Sequence, residues 1–280
     1  MDDTTAVSPL VEEAQAPAPG SGIRWKRYMD RAIVLVLLLA LWQVGSMVLG
    51  VYWLSTPWAT ASRFVVTLFN GELIRQSSYT IEESFLGALI GGVPAVILPF
   101  LLRRSPILVS ILDPFMVGGY GAPKLALAPL FILWFGIGLE SKIALVASVL
   151  FFIVYFSTLT GVRALDAKLV QMAQLVGANE RQVARHIVFP GAVPNIFAGF
   201  RIGLPYAIGA AVITELISSN RGLGYLVQVG AMNFDTTQCF VAIIAATIIV
   251  LGAGWLVDAT ERLLLRWRPS SDMVTDAGGN

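Results

Sequence analysis

Long apolar runs separated by short polar stretches dominate the chain. Between Ala32 and Val51 only Gln43 and Ser46 are clearly polar, and between Cys239 and Val257 Thr247 is the main exception. Runs of this length match a bilayer core, which a helix crosses in about 20 residues. The whole pattern predicts about six spans, near 32–52, 84–102, 119–138, 141–162, 196–218 and 238–258. The third is irregular, because Pro114, Pro123, Pro129 and a glycine cluster interrupt it. Broken backbone at membrane depth needs protein or water to satisfy the freed groups. The expectation is an interfacial helix that starts near Pro106 and enters the membrane after Gly121. No solenoid-type repeat is visible and no polar stretch is long enough to fold separately, so the fold class is an all-α polytopic membrane protein.

One stretch between the fourth and fifth spans keeps a helical period while turning polar. Asp166 can cap a helix in which Leu169, Met172, Ala173 and Val176 form one apolar stripe. Gly177 suits the left-handed C-cap that ends it. Asn179 then caps a second turn, with Gln182 placed as in a capping box, and Phe189-Pro190 is expected to stop that turn before the fifth span. The product is a rigid knob, where a plain connector needs only a few polar residues. Its apolar stripe suits docking into a partner's groove, with an amphipathic helix lying on the lipid surface as the alternative.

Composition agrees with membrane residence. Of 280 residues, 56% are hydrophobic and 13% charged, against about 25% charged in soluble domains. The net charge of +1 gives no sign of nucleic-acid binding, and the lone Cys239 excludes an intramolecular disulfide framework. Residues 1–23 are acidic and rich in Pro and Ala, without the basic start of a signal peptide, which predicts a disordered tail before an uncleaved first span. The membrane domain is then 24–268, with the knob loop at about 164–190 and a second tail at 269–280. Lys and Arg collect on the cytoplasmic side of spans. With the N-terminus inside, that side takes Arg24, Lys26, Arg27, Arg31, Arg103, Arg104, Arg163, Lys168, Arg181, Arg185, Arg201, Arg262, Arg266 and Arg268 out of 19 basic residues. Arg63, Arg75, Lys142 and Arg221 fall outside, and Lys124 stays unplaced. Both termini and the knob are thus expected in the cytoplasm.

The knob also carries a resemblance. Gln171-Met172-Ala173, Gly177, Ile187 and Phe189-Pro190, followed by Pro194, Gly199 and Arg201, resemble the cytoplasmic signature of binding-protein-dependent ABC transporter permeases. Gln171 replaces the usual glutamate, Met172 an alanine and Phe189 a leucine. "LALAPLFILWFGIG" (125–138) and "TELISSNRGLGYLV" (214–227) are similar to the subgroup importing nitrate, sulfonates, taurine and thiamine-type pyrimidines. The resemblance implies a type I ABC importer permease fold in the inner membrane. It implies a homodimer, two cytosolic ATPase subunits and an extracytoplasmic solute-binding protein, with the surrounding lipid as a further partner. The knob would be the coupling helix, shaped by Gly177, Ile187 and Pro190, with Leu169, Gln171, Met172, Ala173 and Val176 at the ATPase.

The remaining candidate chemistry is sparse. No Walker A loop exists, since the lysines at 26, 124, 142 and 168 follow Trp, Pro, Ser and Ala. No cofactor or metal is expected, because the single His186 and Cys239 cannot build a usual zinc site. His186 is read as a knob surface residue with no G-x-S-x-G elbow to serve. Asp113 and Glu215 are the intramembrane carboxylates, with structural or interfacial roles as open as proton carriage. Lys124 and Glu215 are the candidates for the substrate path, Lys124 against snorkelling to the interface. Gly87 and Gly91 in the second span, and Gly199, Gly203 and Gly209 in the fifth, suit close helix packing. The rival function is an ion-gradient-driven secondary transporter, which calls for internal repeats and convergent buried ionisable groups. The ionisable residues look isolated along the chain.

Overall fold

The apolar runs form helices throughout residues 21–265, the part of the chain that the computed structural model describes. In chain order these are α1 (Ser21–Leu49), α2 (Pro57–Phe69), α3 (Glu72–Leu102), α4 (Pro106–Gly121), α5 (Ala128–Phe135), α6 (Leu139–Arg163), α7 (Ala167–Leu175), α8 (Glu180–Val183), α9 (Phe189–Ser218), α10 (Leu223–Met232) and α11 (Thr236–Leu264). The expected tail at 269–280, Arg266 and Arg268 lie outside the described residues, as does the expected tail at 1–23 up to residue 20. The side chains of residues 21–27, with Arg24, Lys26 and Arg27 among them, are likewise outside.

Among the described residues five helices are long and apolar enough to cross a membrane, and α4 with α5 makes a sixth span if the two are taken together across their 81° bend. The expected irregular third span is therefore a bent pair. Its break has a local cause: Pro123 has no N–H to continue the ladder, and the Lys124 ammonium donates to the Tyr120 carbonyl at 2.8 Å at the freed end of α4. A short 3-10 turn, Lys124–Leu127, then leads into α5.

The core is a triangle of α3, α6 and α9. Leu145, Leu150, Val154 and Tyr155 of α6 are buried against Ala95 of α3 and Ala207, Ala210 and Ala211 of α9. Small residues permit the approach, as lipid gives no hydrophobic drive for helices to associate. A Cβ at Gly91 would sit 2.7 Å from Ala147 Cα, and one at Gly199 2.8 Å from Ser157 Cβ. Gly87 packs on Val146 and Gly203 on Leu150, whereas Gly209 faces open space and marks no seam. A second core joins Leu73 of α3, Leu223 and Leu226 of α10, and Val241, Ala242 and Ala245 of α11, with Phe64 of α2 against it.

The hydrophobic pattern does not predict two of the helices, α2 and α10, and α3 begins twelve residues before the expected edge at 84. Each is too short or too polar at that end to register as a span. Outer α1 is mostly exposed and apolar. It is pinned near its end by Trp42 Nε1 donating to Ser55 O at 2.8 Å and by the Trp42 and Phe240 rings, 5.3 Å apart.

Candidate functional site

The knob forms as its sequence requires, from caps inward. Asp166 accepts from the Lys168 N–H at 2.9 Å at the start of α7. At the other end Gly177 has φ +90°, and its N–H donates to Gln174 O at 3.0 Å while the Ala178 N–H donates to Ala173 O at 2.9 Å. This pair of bonds is a Schellman motif, which satisfies carbonyls that a helix end leaves open. The capping box is complete: the Gln182 N–H donates to Asn179 Oδ1 at 2.9 Å and the Asn179 N–H to Gln182 Oε1 at 2.8 Å.

The knob has a small core of its own. Val183, Val188 and Ala192 are buried with Val162 of α6, and Phe100, Leu165, Val170, Ala173 and Ala178 pack on them. Glu180 adds polar ties, accepting from Arg103, just after α3, at 3.1 Å and from Gln174 of α7 at 2.8 Å. His186 is exposed, its Nδ1 lying 3.0 Å from Gln182 O.

Two expectations change here. Ala173 turns inward to this core, and Leu175, 87% exposed, joins Leu169, Met172 and Val176 on the outward face. The inward side of a nine-residue helix is set by Val170 and Ala173, which share a face by their i, i+3 spacing. Gln171 and Gly177 are exposed, Ile187 and Pro190 half-buried. Second, Phe189-Pro190 does not stop the helix. The residues Glu180–Ser218 form one continuous apolar helix. A proline ring normally clashes with the carbonyl four residues back. Here Ala184–Val188 is a π turn, with the Phe189 N–H donating to Ala184 O, and that wider turn admits Pro190 at the start of α9.

At the opposite end of the bundle lies a buried polar knot that the sequence did not reveal. Lys142 of α6 donates to Glu83 Oε1 of α3 at 2.6 Å and to Ser219 Oγ at 2.9 Å. Both side chains of the ion pair are nearly inaccessible, 3% and 1% exposed. Lys142 is thus a buried partner, not a flanking surface charge. Glu215, fully buried, accepts from Thr80 Oγ1 and from the Gly224 N–H, each at 2.7 Å. Thr80 Oγ1 in turn accepts from the Leu223 N–H at 3.0 Å, and Gln76 Oε1 from the Gly222 N–H at 2.8 Å.

Side chains of α3 and α9 therefore cap the first amides of α10, where a carboxylate also suits the helix dipole. Gly222, at φ +99°, and Gly224 are needed because a Cβ would run into the Glu215 carboxylate or the Val212 carbonyl. The signal was present as Gly222-Leu223-Gly224 after Glu215. Its partners on α3, however, Thr80 and Gln76, are 143 and 146 residues distant.

The remaining candidates separate from both sites. Lys124 sits at the bend of the third span, its ammonium 4.6 Å from the Phe152 ring centroid and 5.6 Å from that of Tyr120. Glu215 is not brought to it; both Glu215 oxygens are engaged in the knot. Arg201 pairs with Asp258 at 2.7 Å and with Glu261, joining α9 to α11 near the knob end. Among the described residues no cluster of His, Cys, Asp or Glu could hold a metal ion.

A bundle of helices apolar and long enough to cross a bilayer, with a capped helical projection at one end, marks a polytopic membrane protein. The chain belongs to the family of binding-protein-dependent transport system inner membrane components, matched over residues 84–268. It is 34% identical over 268 residues to the riboflavin transport system permease of Chloroflexus aurantiacus, covering 95% of this chain and 97% of that one. It is 35% identical over 189 residues to the taurine transport system permease of Escherichia coli, covering 67% of each. A bacterial ABC transporter that imports the acidic polysaccharide alginate shares its fold, with a TM-score of 0.58 at 16% identity over 85% of this chain and 98% of that one. The fold is that of type I ABC importer permeases.

Proposed function

We propose that this chain is the translocation subunit of an ATP-driven importer for a small solute of the sulfonate, taurine or pyrimidine kind. An extracytoplasmic binding protein delivers the solute, and two copies of the permease sit on two cytosolic ATPase subunits that hydrolyse the ATP. Both termini and the knob face the cytoplasm, in keeping with Arg103, Arg104, Arg163 and Lys168 at the knob end. Lys124, at the bend of the third span, is the candidate for the solute path.

The observation that carries the reading is the outward face of α7. Leu169, Met172, Leu175 and Val176 are all more than half exposed on a helix capped at both ends and joined through a π turn to α9. An exposed apolar face on a rigid support is the form of a helix that seats in a groove. A flexible loop would absorb the partner's motion, whereas this knob shifts as a packed unit.

The buried Glu83, Lys142 and Glu215 correct the view that ionisable residues are isolated, and they are the one feature that favours an ion-gradient mechanism. Lys142 joins Glu83 Oε1 to Ser219, and both Glu215 oxygens are taken by Thr80 and the start of α10, which supports a positioning role. The test is disulfide or maleimide crosslinking from single cysteines at Met172 and Leu175, in a Cys239→Ser background, with the partner ATPase coexpressed. Crosslinks to the ATPase are expected. Labelling of these cysteines by an impermeant reagent from outside the cell would overturn the reading.

A further inference from the structure

A cavity of about 410 Å³ lies beside the knob, between the ends of α3 and α6 and the flank of α4. Its floor is apolar and buried: Leu159 and Val162 of α6 and Val188 of the π turn. Its rim is basic, with Arg103 after α3 and the exposed Arg163 at the end of α6. Arg103 already pairs with Glu180, while Arg163 makes no ion pair among the described residues. Arg104, also exposed, follows Arg103.

We propose that this cavity is a binding site for an anionic phospholipid of the inner leaflet. The chemistry matches in two parts. An acyl chain fits a concave apolar floor of this size, within the roughly 300–1,000 Å³ of small-molecule sites. A phosphodiester fits a guanidinium rim, since arginine pairs with phosphate through a planar fork of donors. Basic pockets between membrane helices at the cytoplasmic surface hold anionic headgroups for the same reason. The height of the site rests on the proposed orientation, which places the ends of α3 and α6 at the inner leaflet. Val170 and Val188 line the cavity and belong to the knob, so a bound lipid touches the coupling element directly.

Native mass spectrometry of the delipidated permease in detergent, with phosphatidylglycerol or phosphatidylcholine added, tests this without the ATPase or any solute. Retention of phosphatidylglycerol over phosphatidylcholine is expected. Arg163→Gln should weaken phosphatidylglycerol binding about tenfold, the value of one charge-assisted hydrogen bond. Val109→Trp, which fills the cavity from α4, should weaken both lipids. Arg262→Gln, on α11 away from the cavity, should change neither. Equal retention of the two lipids, equal loss in Arg163→Gln and Arg262→Gln, or unchanged binding in Val109→Trp would each overturn the site. Because the measurement involves no transport, a failed coupling role for the knob leaves its outcome unaffected.

Discussion

Lys142 is the residue on which most of the buried charge depends. It neutralises Glu83 and also donates to Ser219, with 3% of its side chain exposed. Removing one partner of a buried pair leaves an uncompensated charge at a cost of about 3–5 kcal/mol, whereas removing both is often close to neutral. Lys142→Met should therefore lower stability by about that amount in thermal unfolding of the purified protein, and Lys142→Met with Glu83→Gln should recover most of it. A double variant no more stable than the single one would show that the pair has no such coupling. Gly224 offers a second case. Its absent Cβ is required by the Val212 carbonyl, so Gly224→Val should displace α10 and expose Cys239, which donates to Val227 O of that helix at 3.4 Å. Faster modification of Cys239 by a thiol reagent is the expected readout. The glycines of 222–224 leave a trace in the sequence, but Lys142 does not announce its role. Lys142 reads as a flanking positive charge and Glu215 as an isolated carboxylate, because the contact that defines each is made between helices and not along one.

At the scale of elements, what the sequence shows depends on whether the signal is local. Spans are legible because lipid demands about 20 apolar residues in a row, and the two capping motifs of the knob are legible because donor and acceptor lie within a turn of each other. Helices α2 and α10 are not, being 13 and 10 residues long and stabilised by the second core that they share with α11. The inward turn of Ala173 is likewise tertiary, since the core it meets draws on α6, α8, the π turn and α9. The proline after the knob misleads for a subtler reason: Pro190 breaks an α ladder but not one that has already widened to a π turn. The capped state of α7 gives a direct test. Gly177 holds the left-handed position that lets two amides reach back to Ala173 and Gln174, and an aspartate there is strained and adds a negative charge to the helix C-terminus. Gly177→Asp should leave the protein in the membrane and lower solute uptake per ATP hydrolysed in reconstituted vesicles. An unchanged ratio would remove the knob from the coupling mechanism.

For the whole molecule the decisive question is whether movement at the knob reaches the other end. The helix from Glu180 to Ser218 has 39 residues, and at 1.5 Å per residue it extends about 58 Å, more than a bilayer core. Pro194 and Pro205 lie inside α9 and are the places where it could hinge. Around Pro205, however, the helix is held: Gly203 packs on Leu150, and Ala207, Ile208, Ala210 and Ala211 are buried against the core, none more than 3% exposed. Packed interfaces of this kind move between discrete arrangements and do not bend continuously. At its far end Glu215 binds the start of α10 through Gly224, and Thr80 and Gln76 secure the two preceding amides. Beside Pro194 the Ser157 hydroxyl of α6 donates to the Asn195 carbonyl at 2.6 Å, so the knob, α9 and α10 are joined end to end without a flexible joint. Spin labels at Leu175 and Val229 of the same subunit should keep one separation when ATP analogues or ADP are supplied to the assembled transporter. Labels at equivalent positions on two subunits should shift between nucleotide states. A nucleotide-dependent change within one subunit would place a hinge in α9, and the outer helix would then move independently of the knob.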